Sequence, residues 1–218
     1  MESINLPNIG IIVTSVDATL MQAIGAEIDK IQSDFSKATP TNHTLAGNIL
    51  REYKLNDCRS AIEIKALEMA QMHQTVYGAN YNSSMLAGSY DNNQPPPDLK
   101  LAGCWVNFQK KHEFNPIHNH SGLYSFVLWY KIPYFANIEE FSSPGRKSSG
   151  NRAGKFEFSF TNILGNISGS ILDIDKTYEG QMCLFPAMLN HQVYPFFSSN
   201  DYRISVSGNL FCVPRESK

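Results

Sequence analysis

The stretch FNPIHNHSGLYSFVLWYKIPY, residues 114–134, joins two histidines to the most apolar run of the sequence. His118 and His120 are two positions apart, and side chains at that spacing on extended backbone point to the same side. The run that follows them predicts a buried strand over residues 123–132. The sequence therefore places a pair of potential metal ligands at the start of a core strand.

The second half of the chain is predicted to consist of short strands. After Leu99, apolar and alternating runs are separated by Gly, Pro, Asn and Ser, and aromatic residues, which favour strands, make up 11% of the sequence. The predicted strands span residues 102–109, 123–132, 155–161, 170–175, 181–186, 190–196 and 202–213. About seven or eight antiparallel strands predict a mainly β fold, a double-stranded β-helix of the jelly-roll or cupin-like kind.

The first half is predicted to be mainly helical. Apolar residues three and four apart predict helices over 17–34 and 57–76. Three prolines predict a loop over 88–98, and a polar, Gly- and Ser-rich composition predicts a long surface loop over 136–154 that is a candidate lid. We predict a single domain, residues 1–218. In it, a helical support region (1–98) packs on one sheet of a catalytic β-core (99–218).

Composition narrows the classes of function. The 218 residues carry 18 basic and 20 acidic side chains, a net charge of -2, which gives no electrostatic support for nucleic-acid binding. No run approaches the roughly 20 apolar residues of a membrane helix, and the N-terminus has no basic segment typical of a signal peptide. The four cysteines are scattered and form no CxxC motif. We therefore expect a cytoplasmic protein, in the host cytoplasm if a phage encodes it.

A third histidine extends the potential metal site. His191 lies 73 residues after His118, in LFPAMLNHQVYPF, at the start of another predicted strand. Two ligands close in sequence and one distant ligand on a neighbouring strand is the pattern of a facial metal triad. We expect the other three histidines, at positions 43, 73 and 112, to have no part in it.

The last predicted strand carries an arginine at an inward-facing position. In YRISVSGNLFCV, residues 202–213, Arg203, Ser205 and Ser207 alternate with apolar neighbours. If the apolar face packs on a sheet or helix, Arg203 points into the barrel, where a guanidinium needs an anion. Its planar fork suits a carboxylate, and Ser205 can bond the same group.

The first core strand carries a polar pair. Asn107 and Gln109 share one face of the strand that contains CWVNFQ, opposite Val106 and Phe108. Inside a barrel such a pair is tolerable where a polar ligand satisfies it. The alternative is an edge strand on which the pair faces solvent.

These motifs together resemble the iron(II)- and 2-oxoglutarate-dependent oxygenases, in particular uncharacterised phage and bacterial members with a prolyl-hydroxylase-like core. The resemblance rests on residues 114–134 and on EGQMCLFPAMLNHQVYPFFSSNDYRISVSGN, residues 179–209. It implies that His118 and His191 bind iron(II), with His120 as the third ligand of the set. It further implies that Arg203 and Ser205 hold the far carboxylate of 2-oxoglutarate, with Asn107 and Gln109 as secondary contacts.

The reaction that the resemblance implies consumes O2 and 2-oxoglutarate, releases succinate and CO2, and hydroxylates a substrate that the sequence does not identify. His120 stands where the wider superfamily has a carboxylate, so it is either a metal ligand or an outer group beside a bound water. Two alternatives remain at this point. One is a three-histidine, cupin-like metalloprotein that acts without 2-oxoglutarate, and the other is a non-catalytic jelly-roll binding module.

Overall fold

The computed structural model describes residues 10–77 and 98–213. Within these ranges the chain forms three α-helices, which are α1 (Ala18–Ser33), α2 (Arg59–Tyr77) and α3 (Ala136–Ser142). The strands are β1 (Ile12–Ser15), β2 (Glu52–Lys54), β3 (Asp98–Gln109), β4 (Asn115–His118), β5 (Tyr124–Lys131), β6 (Phe156–Thr161), β7 (Ile167–Leu172), β8 (Gln181–Pro186), β9 (Asn190–Val193) and β10 (Arg203–Val213). Short 3-10 turns lie at Phe35–Lys37, Asn42–Thr44 and Lys176–Tyr178.

The strands form two antiparallel sheets. The main sheet has the order β1-β8-β5-β10-β3-β2, and the minor sheet has the order β4-β9-β6-β7. Their facing sides enclose a core of aromatic and aliphatic residues that includes Trp129, Phe156, Phe158 and Phe185. This arrangement is the predicted double-stranded β-helix, and the prediction of a mainly β fold is confirmed.

Helices α1 and α2 cover the outer face of the main sheet. Ile24 and Ile28 of α1 and Ile62 of α2 are almost completely buried in the same cluster as Phe108 and Val206 of the sheet. Helix α1 begins after Asp17, whose carboxylate accepts a hydrogen bond from the Leu20 N–H at 2.9 Å. The predicted packing of N-terminal helices on one sheet is therefore confirmed.

The alternation of β10 decides which side chains face the cavity between the sheets. Ile204 and Val206 belong to the helix-side core, while Arg203 and Ser205 line the space between the two sheets. Because successive side chains of a strand point to opposite faces, the apolar pair fixes the direction of the polar pair. The predicted inward orientation of Arg203 is what the structure shows.

Several elements differ from the sequence prediction. Strands β1, β2 and β4 were not predicted because each is only three or four residues long, and β1 and β2 add to the main sheet from the N-terminal region. The loop predicted over 136–154 contains α3, whose buried Glu139 accepts hydrogen bonds from the backbone N–H groups of Phe197 and Ser198 at 2.6 and 3.0 Å. These hydrogen bonds to a distant segment hold the helix in place. The polar composition from which a loop was predicted gives no sign of them.

The loop predicted over 88–98 lies outside the described residues except for Asp98, which begins β3. The division of the chain into 1–98 and 99–218 stays a prediction, with the qualification that β1 and β2 belong to the main sheet. None of the helices in the described ranges is both long and apolar enough to cross a membrane.

Candidate metal and co-substrate site

Three histidines meet at one end of the space between the sheets. His118 ends β4 and is paired directly with His191 on β9, and His120 follows two residues after His118. The backbone N–H of His120 donates to the Ala187 carbonyl at 2.8 Å, which fixes the chain beyond the strand. One nitrogen from each of the three rings lies within 4.8 Å of the other two, a spacing suited to a shared metal ion.

The tautomers of two of these rings are set by backbone carbonyls. His118 Nδ1 lies 2.7 Å from the Pro116 carbonyl, and His191 Nδ1 lies 2.9 Å from the Leu189 carbonyl. A carbonyl oxygen only accepts, so both Nδ1 atoms carry the proton and both Nε2 atoms present a lone pair. This is the arrangement that orients histidine as a metal ligand.

Burial keeps the three imidazoles neutral. Burial, with a smaller contribution from the adjacent His118 ring, lowers the pKa of His191 to about 3 and that of His120 to about 4. Burial also lowers the pKa of His118. Neutral imidazole is the form that donates a lone pair to a metal, so the set is ready to bind a cation at neutral pH.

Aromatic residues surround the histidine cluster. His191 stacks on Phe156 with the ring centroids 5.6 Å apart and the planes 10° apart, and Phe185 meets it edge-on at 4.8 Å. The ring centroids of Trp105 and His120 are 5.9 Å apart. These rings limit the rotation of the imidazoles and exclude water from one side of the cluster.

A buried guanidinium lies in the wall of the same cavity. Arg203 is only 2% exposed, and its five N–H groups all have neutral acceptors. Gln109 Oε1 accepts from Nε at 3.1 Å and from Nη2 at 2.7 Å, while the carbonyls of Gly154 and Tyr194 and the Tyr134 hydroxyl accept the others. No carboxylate within the described ranges forms an ion pair with Arg203. Its positive charge is therefore left for an anionic ligand.

Ser205 and Asn107 lie beside Arg203 on the inner face of the main sheet. They are directly paired between β10 and β3, and Asn107 Nδ2 donates to Ser205 Oγ at 3.2 Å. Asn107 Oδ1 is buried and has no hydrogen-bond partner among the described residues. Gln109 is paired with Arg203 in the same way, so all four residues predicted to bind the co-substrate lie on neighbouring positions of two strands.

The three histidines and these four residues line one cavity. His43, His73 and His112 are not among the residues that line this cavity, and the sequence had predicted that they have no part in the site. Other residues in its wall include Glu52, Trp105, Asn115, Trp129, Phe156 and Phe185. A ligand in this space can touch the three histidines and Arg203 together.

Sequence reasoning missed part of this wall. Residues 45–49 and Glu52 belong to the region predicted as helical support, yet Leu45, Gly47 and Glu52 line the cavity. Tyr134 was not connected with Arg203, although its hydroxyl accepts from Arg203 and donates to the Gly154 carbonyl at 2.8 Å. The only sequence signal for Glu52 is an acidic residue in the short alternating run EYK, which is too weak to mark a site.

Comparison with known proteins agrees with this geometry. Residues 103–209 match the model of a family described as putative 2OG-Fe(II) oxygenase. The fold is similar to that of a prolyl-4-hydroxylase from Pseudomonas putida, with 12% identity, a TM-score of 0.55, and coverage of 94% of this chain and 93% of that chain. No curated protein matches the sequence.

Two further solved structures are similar at lower TM-scores. A prolyl hydroxylase from Trichoplax adhaerens, in complex with a hypoxia inducible factor peptide, has 10% identity and a TM-score of 0.49, covering 94% of this chain and 84% of that chain. HygX from Streptomyces hygroscopicus, with nickel and 2-oxoglutarate bound, has 11% identity and a TM-score of 0.47, covering 94% and 83%.

The fold and the site define a double-stranded β-helix protein in which a cluster of three histidines and a buried guanidinium share one cavity. The family match covers the β-core that carries both, and the chain belongs to the iron(II)- and 2-oxoglutarate-dependent oxygenases. Its cofactor is iron(II) and its co-substrates are 2-oxoglutarate and O2. The cupin-like enzyme without 2-oxoglutarate and the non-catalytic module are set aside by the same match.

Proposed function

We propose that this oxygenase hydroxylates a prime substrate at a metal centre held by His118, His120 and His191. The observation that carries the proposal is the sharing of one cavity by three convergent neutral imidazoles and a buried guanidinium without a carboxylate partner. A metal ion and a dianionic co-substrate supply the charges that these two groups lack.

His120 is proposed as the third ligand rather than an outer group. Its ring nitrogen lies in the same 4.8 Å cluster as those of His118 and His191. Three neutral imidazoles leave the full charge of a divalent ion uncompensated, whereas a carboxylate ligand would remove one unit. An anionic co-substrate that chelates the ion restores the balance, and the fit of the donor set to iron(II) therefore depends on 2-oxoglutarate binding beside it.

Arg203, Ser205, Asn107 and Gln109 are proposed to receive the far carboxylate of 2-oxoglutarate. Arg203 supplies the charge, Ser205 supplies a hydroxyl donor, and the two amides line the approach. Gln109 Oε1 bonds both Nε and Nη2 of Arg203, the edge that suits the two oxygens of a carboxylate. We propose that the incoming carboxylate replaces this amide oxygen, because the Gly154 and Tyr194 carbonyls belong to the backbone.

Iron(II), when bound, supplies the activation of O2 that is coupled to decarboxylation of 2-oxoglutarate to succinate and CO2. The chain fixes the ligands, anchors the anion and surrounds the centre with Trp105, Trp129, Phe156 and Phe185, which exclude water. Hydroxylation is the proposed outcome for the prime substrate.

An anaerobic titration tests the co-substrate assignment. Protein with iron(II) is titrated with 2-oxoglutarate, and the visible charge-transfer band of the chelate is recorded. We expect the band in the parent protein, its loss in His118→Ala, and a requirement for at least tenfold more 2-oxoglutarate in Arg203→Ala. His43→Ala, which removes an exposed histidine outside the cavity, is the matched control and keeps the band. Absence of the band in the parent protein contradicts the proposal.

Two further parts of the proposal concern location and substrate class. All four cysteines, at positions 58, 104, 183 and 212, are free thiols, which supports a reducing compartment such as the cytoplasm. The net charge of -2 supports a prime substrate other than nucleic acid.

A further inference from the structure

A buried carboxyl group lies in the cavity beside the proposed co-substrate residues. Glu52 on β2 is paired with Asn107 on β3, which is paired in turn with Ser205 on β10. The three side chains form a row across the inner face of the main sheet, and all three line the cavity. Glu52 comes from the N-terminal region, outside the family match over residues 103–209.

Glu52 has no cationic partner. It is 1% exposed, and within the described ranges no Lys, Arg or His forms an ion pair with it. In the part of the chain that the structure describes, its one side-chain hydrogen bond is accepted by Oε2 from Asn42 Nδ2 at 3.2 Å. The nearby charged side chain of Glu113 is also acidic. A buried carboxyl in this position is costly unless a donor or a cation reaches it.

Two amide oxygens next to Glu52 share this lack of donors. The side-chain oxygens of Asn107 and Asn115 are buried and have no hydrogen-bond partner in residues 10–77 and 98–213. A Cβ atom placed on Gly47 would lie 2.6 Å from Asn115 Oδ1 and 2.8 Å from Glu52 Oε1, so these two oxygens lie against the same point of the wall. The result is a group of three acceptor oxygens around one part of the cavity.

The co-substrate does not satisfy these oxygens. 2-Oxoglutarate carries two carboxylates and an oxo group at neutral pH, and all of its oxygens accept hydrogen bonds. Placed beside Glu52 it would add negative charge rather than donors. The group that complements the acceptors therefore comes from another molecule in the same cavity, and the prime substrate is that molecule.

We propose that Glu52, with the side-chain oxygens of Asn107 and Asn115, binds a protonated amine of the prime substrate. The inference rests on the proposed function, because it takes the prime substrate to bind in the cavity that holds the histidine cluster. A primary ammonium has three N–H donors and one positive charge, which match three acceptor oxygens and one carboxylate. Glu52 Oε2 continues to accept a hydrogen bond from Asn42, and this bond anchors residues 42–49. Glu52 Oε1 is left for the substrate.

Binding measurements on the loaded protein test this inference. Protein carrying iron(II) and 2-oxoglutarate without oxygen is titrated with n-butylamine and 1,5-diaminopentane, each paired with its fully N-acetylated derivative, and with n-butylguanidine. Calorimetry gives the affinity, and the charge-transfer band reports binding next to the metal. We expect at least one free amine to bind at least tenfold more tightly than its acetylated partner, and this difference to disappear in Glu52→Gln. Tighter binding of n-butylguanidine than of both amines would overturn the choice of an ammonium group in favour of a guanidinium.

Controls separate this inference from the proposed function. Glu113→Gln removes the neighbouring carboxylate, which bonds the backbone N–H groups of Leu50 and Lys110 outside the cavity, and the preference for amines persists in it. If the band forms but amines bind no better than their acetylated partners, the inference is wrong and the proposed function stands. If the band never forms, the proposed function fails and the inference fails with it. Should Glu52→Gln not fold, the comparison of amine with amide in the parent protein still decides.

Discussion

The two faces of the main sheet show how one set of strands serves both stability and chemistry. On the outer face, Ile204 and Val206 are buried against α1 and α2 among apolar side chains. On the inner face, Arg203 and Ser205 of the same strand line a cavity with Asn107 of β3. Packing of the outer face stabilises the fold because it removes apolar surface from water. On the inner face, some polar groups lack a hydrogen-bond or ion-pair partner among the described residues.

This difference explains why the polar face is tolerated. A buried guanidinium and a buried carboxyl without a counter-ion cost stability, and the densely packed outer face offsets that cost. Substitutions on the two faces are therefore expected to separate stability from ligand binding.

The largest separation is expected between neighbouring residues of β10. Ile204→Ala removes a fully buried side chain from the outer core and should lower the free energy of unfolding by about 2–5 kcal/mol. Ser205→Ala, one position away on the inner face, leaves the buried Asn107 amide without its acceptor and should lower it by only about 1–3 kcal/mol. It should also weaken 2-oxoglutarate binding, which Ile204→Ala should leave unchanged. Urea unfolding and calorimetric titration with 2-oxoglutarate measure the two effects. A folded Ile204→Ala protein with weakened 2-oxoglutarate binding would contradict the division between the faces.

Gln109→Leu is expected to have a smaller effect, which lowers stability and at the same time tightens 2-oxoglutarate binding. The substitution leaves two buried Arg203 donors unpaired and should lower the free energy of unfolding by about 1–3 kcal/mol in the absence of ligand. The same change vacates the edge of the guanidinium that the carboxylate is proposed to take, so 2-oxoglutarate should bind about tenfold more tightly, which corresponds to about 1.4 kcal/mol.

The matched control for this experiment is Gln192→Leu. Gln192 is a half-buried amide on β9 that donates to the Tyr194 hydroxyl at 2.8 Å and does not line the cavity. Its substitution should leave the affinity for 2-oxoglutarate unchanged. Weaker binding in Gln109→Leu would contradict the proposed replacement of the Gln109 amide oxygen by the carboxylate.

The comparison of the faces also shows what could be read from the sequence. Alternation in β10 predicted that Arg203 points inward, because the period of a strand is two and one face was clearly apolar. The pair His118–His120 and the distant His191 were likewise found from spacing, and the structure brings them together. These features depend on local geometry that neighbouring residues determine.

The missed features depend on contacts between distant segments. Glu52 faces the cavity because β2 pairs with β3, and nothing in its three-residue strand predicts that pairing. Tyr134 and Glu139 act through bonds to residues about 60 to 70 positions away, so their roles become visible only after the chain has folded.

Two buried carboxyl groups, one on each side of the main sheet, extend the comparison to pH. Burial raises the pKa of Glu27 on α1, but its hydrogen bonds from the backbone N–H groups of Asn56, Asp57 and Cys58 outweigh burial and bring the pKa below the ordinary 4.5. A carboxyl with a lowered folded pKa stabilises the protein above its unfolded pKa, and this stability is lost as the pH falls. We expect the urea midpoint to decrease below about pH 4.5 and Glu27→Gln to flatten that decrease. An unchanged acid limb in Glu27→Gln would contradict this assignment.

Glu52 on the inner side is expected to show the opposite sign. Burial, together with the charge of Glu113, raises its pKa from 4.5 to about 7. The folded state therefore holds a proton between these two values that the unfolded state has released, and stability should fall as the pH rises from 4.5 to about 7. Glu52→Gln should remove this fall, and a protonated amine bound in the cavity should reduce it by favouring the carboxylate.

The measurement is the melting temperature against pH for the parent protein and Glu52→Gln, each with and without n-butylamine. A parent profile that rises over this interval and is unaltered by Glu52→Gln would mean that the carboxyl is already paired, and the inner face would then not differ from the outer one in this respect.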